Sequence, residues 1–183
     1  MAYDETAQRA LLDEASRKSA IVWLCIDGRS SARWHAWLGG HLYLLTGPGE
    51  QPEPGLAESG VARVVVRSKD DGRHLLTVDT DVSVLRPSDE DWAMATAELA
   101  KLRLNLSDPA HARERWADPA FTVYRLTPRF PLAELPGGLP DDSRRRTPVP
   151  TPATTTRPVS LTRRRVRRWR PRRSAAPARR PST

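Results

Sequence analysis

The sequence predicts a mainly β, α+β protein: a small antiparallel barrel of about six strands with helices packed at its ends. Three observations carry this. Runs of six to twelve residues, rich in Val, Ile, Leu and aromatics and often alternating with polar residues, recur between positions 20 and 85. Asp-Gly, Gly-Gly, Gly-Pro-Gly and Asp-Gly again punctuate those runs where a chain must turn. Helical spacing of apolar residues is confined to the N-terminus and to a stretch before the last strand.

Residues 3–17 (YDETAQRALLDEASR) place acids early and bases late, with Ala7, Ala10, Leu11 and Ala15 near helical spacing, which suits a short amphipathic helix and its dipole. The period then changes. AIVWLCI (20–26) is a strand, Asp27-Gly28 starts a turn, and RWHAWL (33–38) is its partner across a longer loop around 28–31. Gly39-Gly40 turns the chain into HLYLLT (41–46), with Leu42, Leu44 and Thr46 on one face and His41, Tyr43 and Leu45 on the other. A Gly/Pro-rich loop comes next.

VARVVVRS (61–68), with Val65 expected inside, is the next strand and KDDGR its turn. HLLTVDTDVSVL (74–85) alternates as a long strand with one wet and one dry side. Pro87-Ser88 ends it, and Ser88 with Asp91 three residues on starts a helix through about Leu104, whose Trp92, Ala95, Leu99 and Leu102 share a face. A second short helix over 110–117 carries Trp116, and FTVYRL (121–126) closes the set before Thr127-Pro128.

Charge divides the chain near residue 140. Residues 141–183 hold 14 Arg, no Lys and 2 acids, a net +12, so residues 1–140 carry −4 and the overall +8 describes the tail. The domain reading is therefore 1–140 as the barrel and 141–183 as a disordered Arg/Pro-rich tail with almost nothing to bury. Its segment RRRVRRWRPRR suits weak, non-specific, salt-sensitive contact with nucleic acid; an idle extension explains it equally well. The lone Cys25, in an apolar run, reads as a small buried hydrophobe. No apolar run reaches the roughly 18 to 20 residues of a membrane span and no signal pattern opens the chain, so the expectation is a cytoplasmic protein without membrane contact.

The order helix, strand, strand, Gly turn, strand ending in Thr, Gly/Pro loop, strand ending in Arg-Ser-Lys, long strand, helix, final strand resembles the FMN-binding split barrel of the pyridoxamine 5′-phosphate oxidase-like family, over about 20–129. The resemblance implies a homodimer with FMN, or a deazaflavin, in a groove between two barrels, and a possible oxidoreductase role on a small-molecule ligand. It also implies that Arg33 and Thr46 meet the cofactor phosphate. Gly47 and Gly49 let backbone N–H groups approach an anion, and Gln51 follows them. Arg67, Ser68 and Lys69, where a strand leaves the sheet, offer a second contact to a phosphate or flavin edge, against the plainer reading of a solvated turn. The chain departs from the family after Thr46: Gly47-Pro48-Gly49-Glu50-Gln51 puts Glu50 where a phosphate wants a cation.

No catalytic residue can be named. The four His are scattered without metal-ligand spacing, so no metal site is expected. Asp79 and Asp81 share a strand face that exposure explains, and Ser30-Ser31 lacks the context of an activated nucleophile. Trp23 reads as core, while Trp34 alternates with Arg33 and so faces the other way. Two functions stay open: a flavin or deazaflavin protein, and a non-enzymatic split-barrel scaffold that has lost its cofactor site and uses the tail to hold nucleic acid or an acidic partner. Flavin, deazaflavin, haem and no cofactor are not separable by sequence.

Overall fold

The structure is a computed structural model that describes residues 3–103, 106 and 108–138. The Arg-rich tail lies outside the described residues. Helix α1 (Glu5–Lys18) opens with Asp4, whose side chain accepts from Ala7 N at 2.7 Å, and closes with Arg17 and Lys18 in its last turn. Strand β1 (Ile21–Ile26) then enters a two-residue turn, with Asp27 at φ 48° and Gly28 at φ 76°, and β2 (Arg29–Trp34) leaves it at once. Positive φ at both central residues matches the twist of a tight hairpin, which Asp-Gly favours. The longer loop expected over 28–31 is thus replaced by strand: Arg29 already pairs with Ile26.

After His35 the chain continues as β3 (Ala36–Leu38), turns at Gly39-Gly40 and returns as β4 (His41–Thr46). A one-turn helix α2 (Leu56–Ser59), which the sequence did not suggest, sits in the Gly/Pro loop; Glu53 Oε1 accepts from Gly55 N and Leu56 N and so starts it. Then come β5 (Val61–Arg67), β6 (His74–Leu85), α3 (Trp92–Lys101), α4 (Ala112–Arg115) and β7 (Thr122–Pro128).

The seven strands of the described residues lie in one antiparallel sheet of order β2-β1-β5-β6-β7-β4-β3. Its two ends are successive stretches of chain separated only by His35. One bent strand therefore pairs with β1 through its first half and with β4 through its second, and the sheet curls on itself. Counted so, there are six strands, and the barrel is split where the shared strand bends.

Two cores result from the alternation. Val22, Leu24, Leu42, Leu44, Val64, Val66, Leu76, Val78 and Leu126 fill the inside with Leu12 of α1. The opposite face of β4 and β7, Tyr43, Leu45 and Val123, packs under Trp92, Ala95 and Leu99 of α3 and under Trp116 at the end of α4. β4 is buried on both sides, which is why it reads as a nearly continuous apolar run. Each fully buried aliphatic side chain contributes about 2 kcal/mol.

Three expectations change. Val65 faces outward and is half-buried, while Val64 and Val66 are the interior residues. Leu102 leaves the buried face of α3 and is 51% exposed. The wet side of β6 is covered at Thr77, which exchanges two backbone hydrogen bonds with Glu134, while Val84 near its end is exposed.

Candidate ligand site

The corner after β4 is built by close backbone approach. Gly47 has φ 143°, and a Cβ there would lie 2.5 Å from Phe121 Cδ1, so only glycine fits. Glu50 N donates to Gly47 O at 3.0 Å and tightens the turn, with Gly49 at φ 77° inside it. Gln51 then reaches across to β2: its Oε1 accepts from Trp34 N at 2.9 Å and its Nε2 donates to Ala32 O at 3.0 Å.

Arg33 and Thr46 belong to the same corner, and both are committed to it. Arg33 is 7% exposed; its Nη1 donates to Pro52 O at 2.6 Å and its Nε to Ser31 Oγ at 3.2 Å. Burial lowers its pKa, with Glu53 partly opposing. Thr46 is 6% exposed, donates its hydroxyl to Thr122 O at 3.4 Å and bridges to Gln51 through the backbone. Arg33, Thr46, Gly47, Gly49 and Gln51 are thus brought together, each holding the loop in place.

Two further cations border this corner. Arg103, just past α3, pairs with Glu50 at 2.9 Å, and both side chains are 8% exposed. Its guanidinium stands 5.3 Å from the centre of the Trp34 ring, and its Nη2 is buried with no partner among the described residues. Burial lowers the Arg103 pKa, and the Glu50 charge offsets part of that. Arg115 donates to Pro48 O at 3.3 Å and lies 5.1 Å from the Phe121 ring centre. Together with Trp34, Gln51 and Pro52 these side chains border an open cavity of about 440 Å³. The acid that breaks the family pattern is therefore answered by a cation some fifty positions later. Sequence reasoning missed Arg103 and Arg115; the usable signal was Glu50 itself, since a carboxylate in a Gly/Pro corner needs a partner if it is to be buried.

Arg67, Ser68 and Lys69 do not join this corner. They border a separate cleft of about 500 Å³ against the end of α1, with Glu14, Arg17 and Lys18. Ser68 Oγ accepts from Asp70 N and Asp71 N, and Arg67 Nη1 donates to Gly72 O at 3.1 Å, so the turn organises itself. Arg67 also lies 5.5 Å from the ring centre of Trp23, which is 37% exposed on the outside of β1 rather than in the core. Trp37 pins α1 by donating to Asp13 Oδ1 at 2.7 Å. Cys25 is half-buried, with its sulfur 2.9 Å from Ser30 Oγ.

Asp79 and Asp81 are spent on Arg63 and Arg129 respectively. Among the described residues no three His, Cys, Asp or Glu side chains cluster as metal ligands, and no helix is long and apolar enough to cross a membrane.

The bent shared strand and the antiparallel order define the class: a split barrel with an N-terminal helix. In this strand order the chain resembles the pyridoxamine 5′-phosphate oxidase-like family. No family profile and no curated protein matches the sequence. Solved structures similar to it include HutZ, the heme storage protein from Vibrio cholerae, at 14% identity and TM-score 0.49, covering 68% of this chain and 92% of that one. A putative pyridoxamine 5′-phosphate oxidase from Listeria innocua is similar at 15% identity and TM-score 0.48, covering 69% and 97%. An FAD-binding protein from Mesorhizobium loti is similar at 20% identity and TM-score 0.44, covering 66% and 87%. At such identities the likeness is one of fold.

Proposed function

We propose that this chain is a split-barrel protein that binds a flavin-type cofactor in the cavity beside Trp34, with Arg103 and Arg115 as the cations that receive its anionic part. The observation that carries the reading is Arg103: a buried guanidinium over an aromatic ring, with one nitrogen on Glu50 and another without a partner, at the wall of a polar cavity. Glu50 balances the Arg103 charge, so the excess positive charge at this corner is that of Arg115, while Arg103 adds a guanidinium held in a desolvated site where polar contacts are stronger than in water. The cavity volume lies within the usual range for cofactor and ligand sites. The residues present fit such a group, with the anion-holding part assigned to Arg103 and Arg115 in place of Arg33 and Thr46.

A bound flavin or deazaflavin supplies the hydride or electron transfer itself. The chain's own part is to orient it: Trp34 offers a ring face, Gln51 and Pro52 a polar rim, and Arg115 a second positive charge. An oxidoreductase acting on a small molecule is the activity that this reading implies, and a homodimer, with exposed Ile21, Trp23 and Val61 on the outside of β1 and β5 available for burial, belongs to it. One observation favours the scaffold alternative, in which the site no longer takes a cofactor and the tail holds nucleic acid: Arg33 and Thr46 are both locked onto backbone carbonyls.

Titration of the full chain with FMN and with a deazaflavin, followed by absorbance, separates the two. Saturable binding weakened at least about tenfold by Arg103→Met and several-fold by Arg115→Ala supports the cofactor reading. Absence of saturable binding of either compound moves the assignment to the scaffold.

A further inference from the structure

A second cavity, of about 250 Å³, lies beside the first and shares Trp34 and Arg103 with it. Ala20, Ile21, His35, Leu99 and Leu102 complete its border, and its walls are almost wholly apolar. Two of these residues carry apolar patterns past the point where the chain buries them. Leu102 caps α3 three positions beyond Leu99, yet it is 51% exposed where Leu99 is 2% exposed. Ile21 opens β1 and is 41% exposed. Apolar side chains left around a hollow gain free energy from any ligand that takes their surface from water.

The polar groups at this border are engaged or enclosed. His35 Nε2 sits 3.1 Å from the Ser16 carbonyl, His35 Nδ1 is enclosed, and burial keeps the ring neutral by lowering its pKa to about 4. Arg103 is paired with Glu50 at 2.9 Å, which balances its charge. An ion that entered would lose water and meet no unpaired opposite charge in return. Water itself needs about two to four polar partners, which an apolar hollow does not supply. Size points the same way, because a dry apolar cavity of about 150 Å³ takes benzene and this one is larger by roughly a substituent.

We propose that this cavity binds a small, uncharged, apolar ring compound, with Ile21, Trp34, Leu99 and Leu102 around the ring. Recognition is by shape and exclusion of water, and a charged substituent on the same ring counts against binding. The inference does not rest on the cofactor reading. Trp34 and Arg103 border both cavities, so such a compound would be an apolar neighbour of whatever fills the larger one.

The test is a methyl NMR titration of the full chain at pH 7, without added flavin, with toluene and with benzoate. Saturable ring-current shifts of the Ile21, Leu99 and Leu102 methyl groups are expected with toluene, and benzoate should bind there at least about tenfold more weakly. Leu102→Trp, which fills the mouth from an exposed position, should abolish toluene binding while leaving the thermal midpoint unchanged. Toluene that fails to saturate, benzoate that moves the same methyl groups equally well, or unchanged toluene binding by a folded Leu102→Trp chain overturns the proposal. So does a ligand-free chain whose Ile21 and Leu102 resonances move on dilution while toluene leaves them still, since a second copy would then fill the hollow.

Discussion

Two corners of the molecule gather arginine around a cavity of similar size, about 440 Å³ beside the Gly/Pro loop and about 500 Å³ beside the β5–β6 turn, and they treat charge in opposite ways. At the loop, Arg103 and Glu50 are both 8% exposed and the guanidinium is packed on Trp34. At the turn, Arg17 and Lys18 are 67% and 72% exposed and pair with their own helix neighbours Asp13 and Glu14. The second corner has more cations, but water screens them, and these two already have a partner one helical turn away. The first has removed Arg103 and Glu50 from water, so what each of those two meets there matters far more. Counting basic residues does not find a site; finding the ones that have lost their water does.

The largest test of that contrast is Glu50→Ala. It leaves the Arg103 charge buried and unpaired, and unfolding stability should fall by about 3 kcal/mol, read as a shift of the urea midpoint at constant slope. Restoring most of that loss with the double change Glu50→Ala, Arg103→Met would show that the unpaired charge, and not lost packing, was responsible. A Glu50→Ala chain as stable as the parent would place both groups in water and erase the distinction between the corners.

A comparable effect is expected from acid. Burial holds His35 at a pKa of about 4, below its ordinary 6.5. As pH falls, the unfolded chain takes up this proton first. The contribution is therefore complete above about pH 6.5 and is lost progressively down to about pH 4, by about 3 kcal/mol in all. Burial lowers the His41 pKa too and acts with the same sign, whereas Asp108 raises that of His111, which acts with the opposite sign. Urea midpoints at pH 7 and pH 4.5 measure the slope, and His35→Gln should flatten it.

Smaller again is Gly47→Ala. Its φ of 143° and the contact with Phe121 predict a loss of about 1 to 3 kcal/mol. The effect should exceed that of Gly72→Ala at the other corner, where the added methyl group meets open space. Smallest is Arg67→Ala, expected to change stability by no more than about 0.5 kcal/mol and to leave FMN titration unaltered. An Arg67→Ala chain that lost FMN binding would return the turn to the site.

The elements that were legible in the sequence are those whose periodicity answers to one neighbour. β1, β4, β5, β6 and β7 fall within a residue or two of their apolar runs, because each buries a row of alternate residues in a core. The features that escaped depend on segments meeting from afar. RWHAWL looks like one strand and is one, but it serves two ends of the sheet and changes partner at His35. Thr77 alternates as if wet, yet the chain around Glu134 returns to cover it. The loop corner was located by its glycines, while Arg103, the cation that decides its electrostatics, follows a helix with no spacing that ties it to Glu50. Arg33, Thr46 and Gln51 were singled out as ligand contacts; they cluster as expected, but their polar atoms are turned on the protein's own backbone.

Gln51 also guards the sheet against other chains. β2 is a terminal strand of the sheet order, and such a margin offers bare N–H and C=O groups to any passing strand. The Gln51 carboxamide accepts from Trp34 N and donates to Ala32 O, standing in for one peptide of a neighbouring strand. A single side chain thus covers the part of that margin nearest the bend at His35. Its removal would turn an inward pairing outward, so that the first symptom of Gln51→Ala is self-association through β2.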